Sequence, residues 1–219
     1  EFGLRQRIAV AKQLRSENYT QAIVLTNSWK SALIPWLARI PVRTGWLGEA
    51  RWGLLNDLRY LKKKSYPKMV QRYIALGLAN AAVLPNTLPT PQLMSPLESV
   101  DLVLKKFALS TARPVLALCA GAAYGPAKRW PVEYFAKIAE QKIAAGWQVW
   151  FFGSSQDSSV IESIRAQIAG DTLSFCGKID LLETIDLMSV ARAVVTNDSG
   201  LLHMAASLDK PLVAIYGST

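Results

Sequence analysis

Short apolar runs alternate with stretches whose apolar residues recur three and four positions apart, most regularly in the second half of the chain. The pattern predicts strands at 114–119, 147–152, 172–176, 193–196 and 211–216. Between them it predicts helices near 99–108, 131–145, 155–168, 181–191 and 199–207. Apolar strands of this length alternating with amphipathic helices build βαβ units, and hence a parallel sheet. Pro131 suits the first position of its helix, where a missing N–H costs nothing. Ser154 or Ser155 is placed to cap the next one.

The first part is less regular. A helix near 3–16, a strand over 22–26 and a helix near 29–38 precede an irregular basic stretch and a helix near 67–79. Pro85, Pro89, Pro91 and Pro96 then fall among small and polar residues, so 80–98 reads as a linker. The expected organisation is an α/β chain with one domain over 1–79 and a second over 99–219. The first helix has no strand before it, and the last strand stops as it reaches its functional edge. Truncation at both ends is therefore expected.

Composition narrows the class. A hydrophobic fraction of 51% and a charged fraction of 19% suit a globular protein with a real core. No apolar stretch approaches the roughly 18–20 residues that span a bilayer, and the opening residues do not read as a secretory leader. Cys119 and Cys176 are expected to be free thiols of a cytosolic protein. The charge is divided unevenly. Residues 1–79 hold 14 Lys and Arg against 4 Asp and Glu, while 80–219 hold 11 against 12. A first part at +10 attracts anionic lipid, a phosphorylated acceptor or nucleic acid; the plainer alternative is a solvated surface.

Two loops carry the candidate chemistry. Gly121-Ala122-Ala123-Tyr124-Gly125-Pro126-Ala127-Lys128-Arg129-Trp130-Pro131 follows one apolar strand, and Thr196-Asn197-Asp198-Ser199-Gly200-Leu201-Leu202-His203 follows another. In an open parallel sheet both lie at the carboxyl edge, where ligands bind. Lys128 supplies a point charge for phosphate. The Ser199 and Gly200 amides at a helix start favour an anion by up to ~1–2 kcal/mol. Asp198 can cap that helix or accept hydrogen bonds from sugar hydroxyls, and His203, the single histidine, follows one turn later. Trp130 covers a ligand ring or staples its helix to the sheet. Other chemistries find no support: there is no metal-ligand spacing, no Gly-x-Ser-x-Gly, no Walker loop and no dinucleotide fingerprint. The combination points to a nucleotide-sugar enzyme.

These two loops, together with Arg43-Thr44-Gly45-Trp46-Leu47-Gly48-Glu49-Ala50-Arg51-Trp52-Gly53-Leu54-Leu55-Asn56-Asp57, resemble the ADP-heptose–lipopolysaccharide heptosyltransferases of glycosyltransferase family 9. The resemblance covers nearly the whole chain. It implies a GT-B architecture of two Rossmann-like domains with parallel sheets, the second holding the donor. It also implies an inverting, metal-independent transfer of L-glycero-D-manno-heptose from ADP-heptose to a phosphorylated lipopolysaccharide inner core, with no cofactor and no nucleic-acid partner. The site would be cytoplasmic, at the inner face of the cytoplasmic membrane, whose anionic surface suits the basic first part.

By the same resemblance Lys128 touches the donor diphosphate, Asp198 holds the heptose, and Ser199, Gly200 and His203 line phosphate and sugar. Asp157 holds the adenosine ribose or caps a helix. Asn27, Ser28 and Lys30, with Arg43, Glu49 and Arg51, form the acceptor side, a structural role being the alternative for Glu49 and Arg51. Ala123 and Ala120 depart from the family pattern, which has an acidic residue and often a proline there. The family's general base is an Asp in a loop that would precede Glu1, so no catalytic base is named. Two other readings stay open: a GT-B enzyme using a different nucleotide sugar, and a non-catalytic basic binding fragment.

Overall fold

The chain divides into two units, Glu1–Pro89 and Thr90–Thr219, and the computed structural model describes residues 3–121 and 129–217 of them. The first unit contains α1 (Leu4–Ser16), β1 (Gln21–Val24), α2 (Trp29–Leu37), β2 (Val42–Trp46), β3 (Asp57–Arg59) and α3 (Met69–Gly77). Its three strands form one sheet in the order β1-β2-β3, all parallel.

Two of these strands, β2 and β3, lie in the stretch expected to be irregular. Two of their buried positions, Thr44 and Arg59, are polar, which breaks the hydrophobic pattern. Thr44 is fully buried and its hydroxyl donates to Asp57 Oδ2 at 2.9 Å. Arg59 is 6% exposed; it pairs with Asp57 at 2.8 Å and donates to the Ala75 and Leu78 carbonyls at 2.7 and 2.8 Å. Hydrogen bonding replaces apolar contact as the tie between β3 and α3.

The second unit holds α4 (Leu97–Lys106), β4 (Val115–Cys119), α5 (Val132–Ala144), β5 (Gln148–Phe151), α6 (Ser158–Arg165), β6 (Thr172–Ser174), α7 (Leu181–Ser189), β7 (Ala193–Asn197), α8 (Gly200–Ser207) and β8 (Leu212–Ile215). The five strands are parallel in the order β6-β5-β4-β7-β8. Every residue of the central β4 is buried, and the pleat sends them alternately to two cores. Leu116 and Leu118 meet Phe135 of α5 and Ile161 and Ile164 of α6. Val115, Ala117 and Cys119 join Val103, Leu187, Met188 and Ala205 of α4, α7 and α8. Burying each large apolar side chain contributes about 1.5–3 kcal/mol. Helices thus cover both faces, and the strand order reverses between β4 and β7, where such sheets open a crevice at their carboxyl ends.

Some boundaries differ from the sequence expectation. The helix expected over 155–168 is a 3₁₀ turn, Ser155–Asp157, followed by α6. Pro131, expected at the first helical position, is instead the N-cap of α5, which begins at Val132. The proline-rich stretch is divided between the units, and its later residues are fastened to the second: Leu93 N–H donates to the Ser207 carbonyl at 2.8 Å, and the Ser95 and Ser99 hydroxyls donate to buried Asp186 on α7. Among the described residues no helix is long and apolar enough to cross a membrane.

Candidate functional site

A pocket of about 540 Å³ opens at the carboxyl edge of the second sheet. Four chain segments reach it: Gly121 after β4, Gly153 to Asp157 after β5, the start of α7, and the start of α8. Ser199 caps α8 with extended backbone. Its hydroxyl is buried and has no hydrogen-bond partner among the described residues. An unpaired buried hydroxyl costs roughly 1–3 kcal/mol, a cost that a bound acceptor atom would relieve. Gly200 opens the helix, and nothing stands within 4 Å of where its Cβ would be. Helix starts present unpaired N–H groups and the positive end of the dipole, which together favour an anion.

The acids of the pocket are already engaged. Asp157 Oδ2 accepts from the Ser154 N–H at 2.9 Å and its hydroxyl at 2.7 Å. Asp180 caps α7, accepting from the Glu183 N–H at 2.8 Å. Asp157 also lies directly against Gly121, where an added Cβ would stand 2.4 Å from its Cγ and Oδ1. Only glycine lets that carboxylate and the end of β4 approach so closely. Thr184 and the apolar Ile179, Leu181, Leu201 and Met204 complete the lining.

Of the expected donor residues, Asp157, Ser199 and Gly200 line this pocket. Asp198 stands just before it, half-buried, with its N–H donated to the Ile215 carbonyl at 3.1 Å. His203 is exposed on α8 and is not among the lining residues. Lys128 and Ala123 lie outside the described residues. Among the described residues no cluster of three His, Cys, Asp or Glu could hold a metal ion.

Asn197 was not singled out by the sequence reading. It is fully buried; its Nδ2 donates to the Ala120 carbonyl at 2.7 Å and its Oδ1 accepts from the Trp130 N–H at 3.2 Å. One side chain on β7 thus fixes both ends of the loop that carries Lys128. The signal was an amide following an apolar strand, since a buried amide has to find partners. Trp130 packs edge-on against Phe135, centroids 5.3 Å apart, which is the stapling role. Cys119 and Cys176 are free and buried, as expected. Burial lifts the Cys119 thiol well above its ordinary range and pushes Cys176 up to about 11, so neither is a thiolate near neutrality.

The acceptor-side residues of the first unit are partly joined. Asn27 and Ser28 lead into α2, which begins just before Lys30. The Glu49 N–H donates to the Asn27 carbonyl at 3.2 Å, and Glu49 Oε2 accepts from the Trp29 N–H at 3.1 Å, closing the start of α2. Arg51 is fully buried, donating to the Thr26 carbonyl at 2.6 Å and to the Trp46 carbonyl. Burial lowers its pKa, and the Glu49 charge opposes that shift. Arg43 donates to the Leu54 and Ile40 carbonyls, both at 2.7 Å. Arg43 and Arg51 therefore brace the loops after β1 and β2, and Arg51 offers no surface to a ligand.

Parallel sheets in both units and a switch-point crevice that the start of α8 reaches define an α/β protein of the Rossmann-like, GT-B class. The model of glycosyltransferase family 9 (heptosyltransferase) matches residues 7–219, and the chain belongs to that family. It is similar to lipopolysaccharide heptosyltransferase 2 of Salmonella typhimurium, 46% identical over an alignment of 226 positions that covers 99% of this chain and 64% of that protein. Lipooligosaccharide heptosyltransferase 2 of Haemophilus influenzae is 47% identical over an alignment of 231 positions that covers 100% of this chain and 66% of the relative. The solved structure of E. coli ADP-heptose lps heptosyltransferase II superposes with a TM-score of 0.91 at 42% identity, covering 97% of this chain and 67% of that one. The chain therefore spans just under two thirds of the length of these curated relatives.

Proposed function

We propose that this chain is the body of a heptosyltransferase that moves L-glycero-D-manno-heptose from ADP-heptose to the inner core of lipopolysaccharide, inverting the anomeric centre without a metal. The second unit is the donor side and the first the acceptor side. The observation that carries the reading is the pocket at the carboxyl edge of the second sheet. There the start of α8 and the Ser199 hydroxyl, without a partner among the described residues, line a largely apolar pocket of a size for a nucleoside. Ser199, Gly200 and Lys128 take the diphosphate, Asp157 the ribose, and Asp198 with His203 the heptose.

As the glycosidic bond breaks, negative charge develops on the departing β-phosphate. Fixed amides and an ammonium group in a water-poor cleft stabilise that charge without reorganising. Asn27, Ser28, Lys30 and Glu49 serve the acceptor, and Arg43 and Arg51 shape the loops that carry them. The basic first part concentrates a phosphorylated acceptor and the anionic inner face of the cytoplasmic membrane.

Calorimetric titration of the chain with ADP and ADP-heptose tests the donor side. Saturable binding of both is expected, and Lys128→Ala is expected to weaken it about tenfold, the worth of one charge-assisted contact, with an unchanged melting temperature. Absence of binding by a folded chain contradicts the reading, and unchanged affinity in Lys128→Ala removes that residue from it.

A further inference from the structure

The first unit has a pocket of its own, about 430 Å³, at the carboxyl ends of β2 and β3. Trp46 and Arg59, register partners at those strand ends, both line it. The carboxyl edge of a parallel sheet is where ligands bind, and none of the expected acceptor-side residues is in this lining. From these features the geometry points to a site for a phosphorylated saccharide.

Aromatic rings make up much of the wall. Trp46 is nearly buried, with its indole N–H donated to the Arg72 carbonyl at 3.2 Å. Tyr66 leans against it with ring centroids 5.7 Å apart. Tyr60, 68% exposed, presents its ring to solvent and to the pocket. Ring faces of this kind pack on the C–H face of a sugar, and the nearby Ser65 and Asn80 side chains supply donors and acceptors for its hydroxyls. The turn at residues 79–82 also lines the pocket, closed by an Ala82 N–H to Ala79 carbonyl bond of 3.0 Å. Ala81 is held there at φ 63 without being glycine, a conformation that needs support from its surroundings.

The charge of the pocket is one-sided. Residues 58–97 hold six Lys and Arg and no Asp or Glu. Arg59 is occupied by Asp57 and two carbonyls, which leaves Lys62 as the cation that a ligand can engage. Lys63 and Lys64 follow it, and all three are exposed, with no ion pair among the described residues. An ammonium group without a carboxylate partner suits a phosphate monoester. This site deepens the acceptor half of the proposed function and rests on that reading only for the natural source of the ligand.

Glucose 6-phosphate, glucose and inorganic phosphate, titrated into the 219-residue chain, test the assignment. Glucose 6-phosphate is expected to bind at least fivefold more tightly than either part alone. Tyr60→Ala and Lys62→Ala, both on the surface, are each expected to weaken it at least fivefold with melting temperature and ADP affinity unchanged. Equal affinity for the three probes, or affinity insensitive to both variants, overturns the proposal. Co-sedimentation with phosphatidylcholine vesicles carrying monophosphoryl lipid A, lost in Lys62→Ala, assigns the site to a glycolipid headgroup; binding of glucose 6-phosphate alone assigns it to a free sugar phosphate. If ADP fails to bind while glucose 6-phosphate does, the nucleotide-sugar reading falls and this site stands.

Discussion

Asp157 and Gly121 show how a single missing side chain sets the shape of the donor pocket. Asp157 is aimed by the Ser154 amide and hydroxyl, and it lies where any Cβ at position 121 would collide with it. Gly121→Ala is therefore expected to displace the carboxylate or the end of β4 and to weaken ADP binding about tenfold, a loss of about 1.4 kcal/mol. Titration calorimetry beside a thermal melt separates that effect from unfolding; unchanged affinity would mean that Asp157 takes no part in holding the nucleotide. Asn197 acts by the opposite means, filling a buried position with an amide whose two ends fix the Ala120 and Trp130 backbones. The glycine-rich loop and the Asp198-Ser199-Gly200 turn were legible as letters. The amide joining them was not, because its partners are main-chain atoms far away in sequence.

Among the elements, the second sheet was readable, while of the first only β1 was, expected over 22–26 and found at Gln21–Val24. The three central strands of the second sheet, β5, β4 and β7, are almost wholly buried, so they appear as continuous apolar runs between helical periods. In the first, β2 and β3 bury Thr44 and Arg59 and are held by hydrogen bonds and an ion pair, for which periodicity has no signal. Helix ends slipped by a residue or more where a 3₁₀ turn or a proline cap stood in for regular helix. Asp57 gives this polar sheet a pH signature. Bonds from Arg59, the largest influence, and from Thr44 hold its pKa below 3.8. A carboxyl lowered in the folded state stabilises above its unfolded pKa and loses that contribution as pH falls through the folded one. Asp57→Asn is expected to cost about 1–2 kcal/mol near pH 7 and to flatten the loss of stability below pH 4. Urea melts across the acid range measure both, and an acid slope unchanged by the substitution would remove Asp57 as its source.

Across the whole molecule, charge and chemistry are divided along the chain. Residues 1–79 carry the net positive charge, while 80–219 are close to neutral and contain the helix-start pocket. Family membership rests on a match across residues 7–219. What the chain does turns on whether the α8 start receives a diphosphate. Amide NMR of the isotope-labelled chain during an ADP titration tests it most directly. The largest shifts are expected at Ser199, Gly200 and Gly121, saturating together, with the amides of the first unit unmoved. Shifts centred anywhere else, or none at saturating ADP, would contradict it.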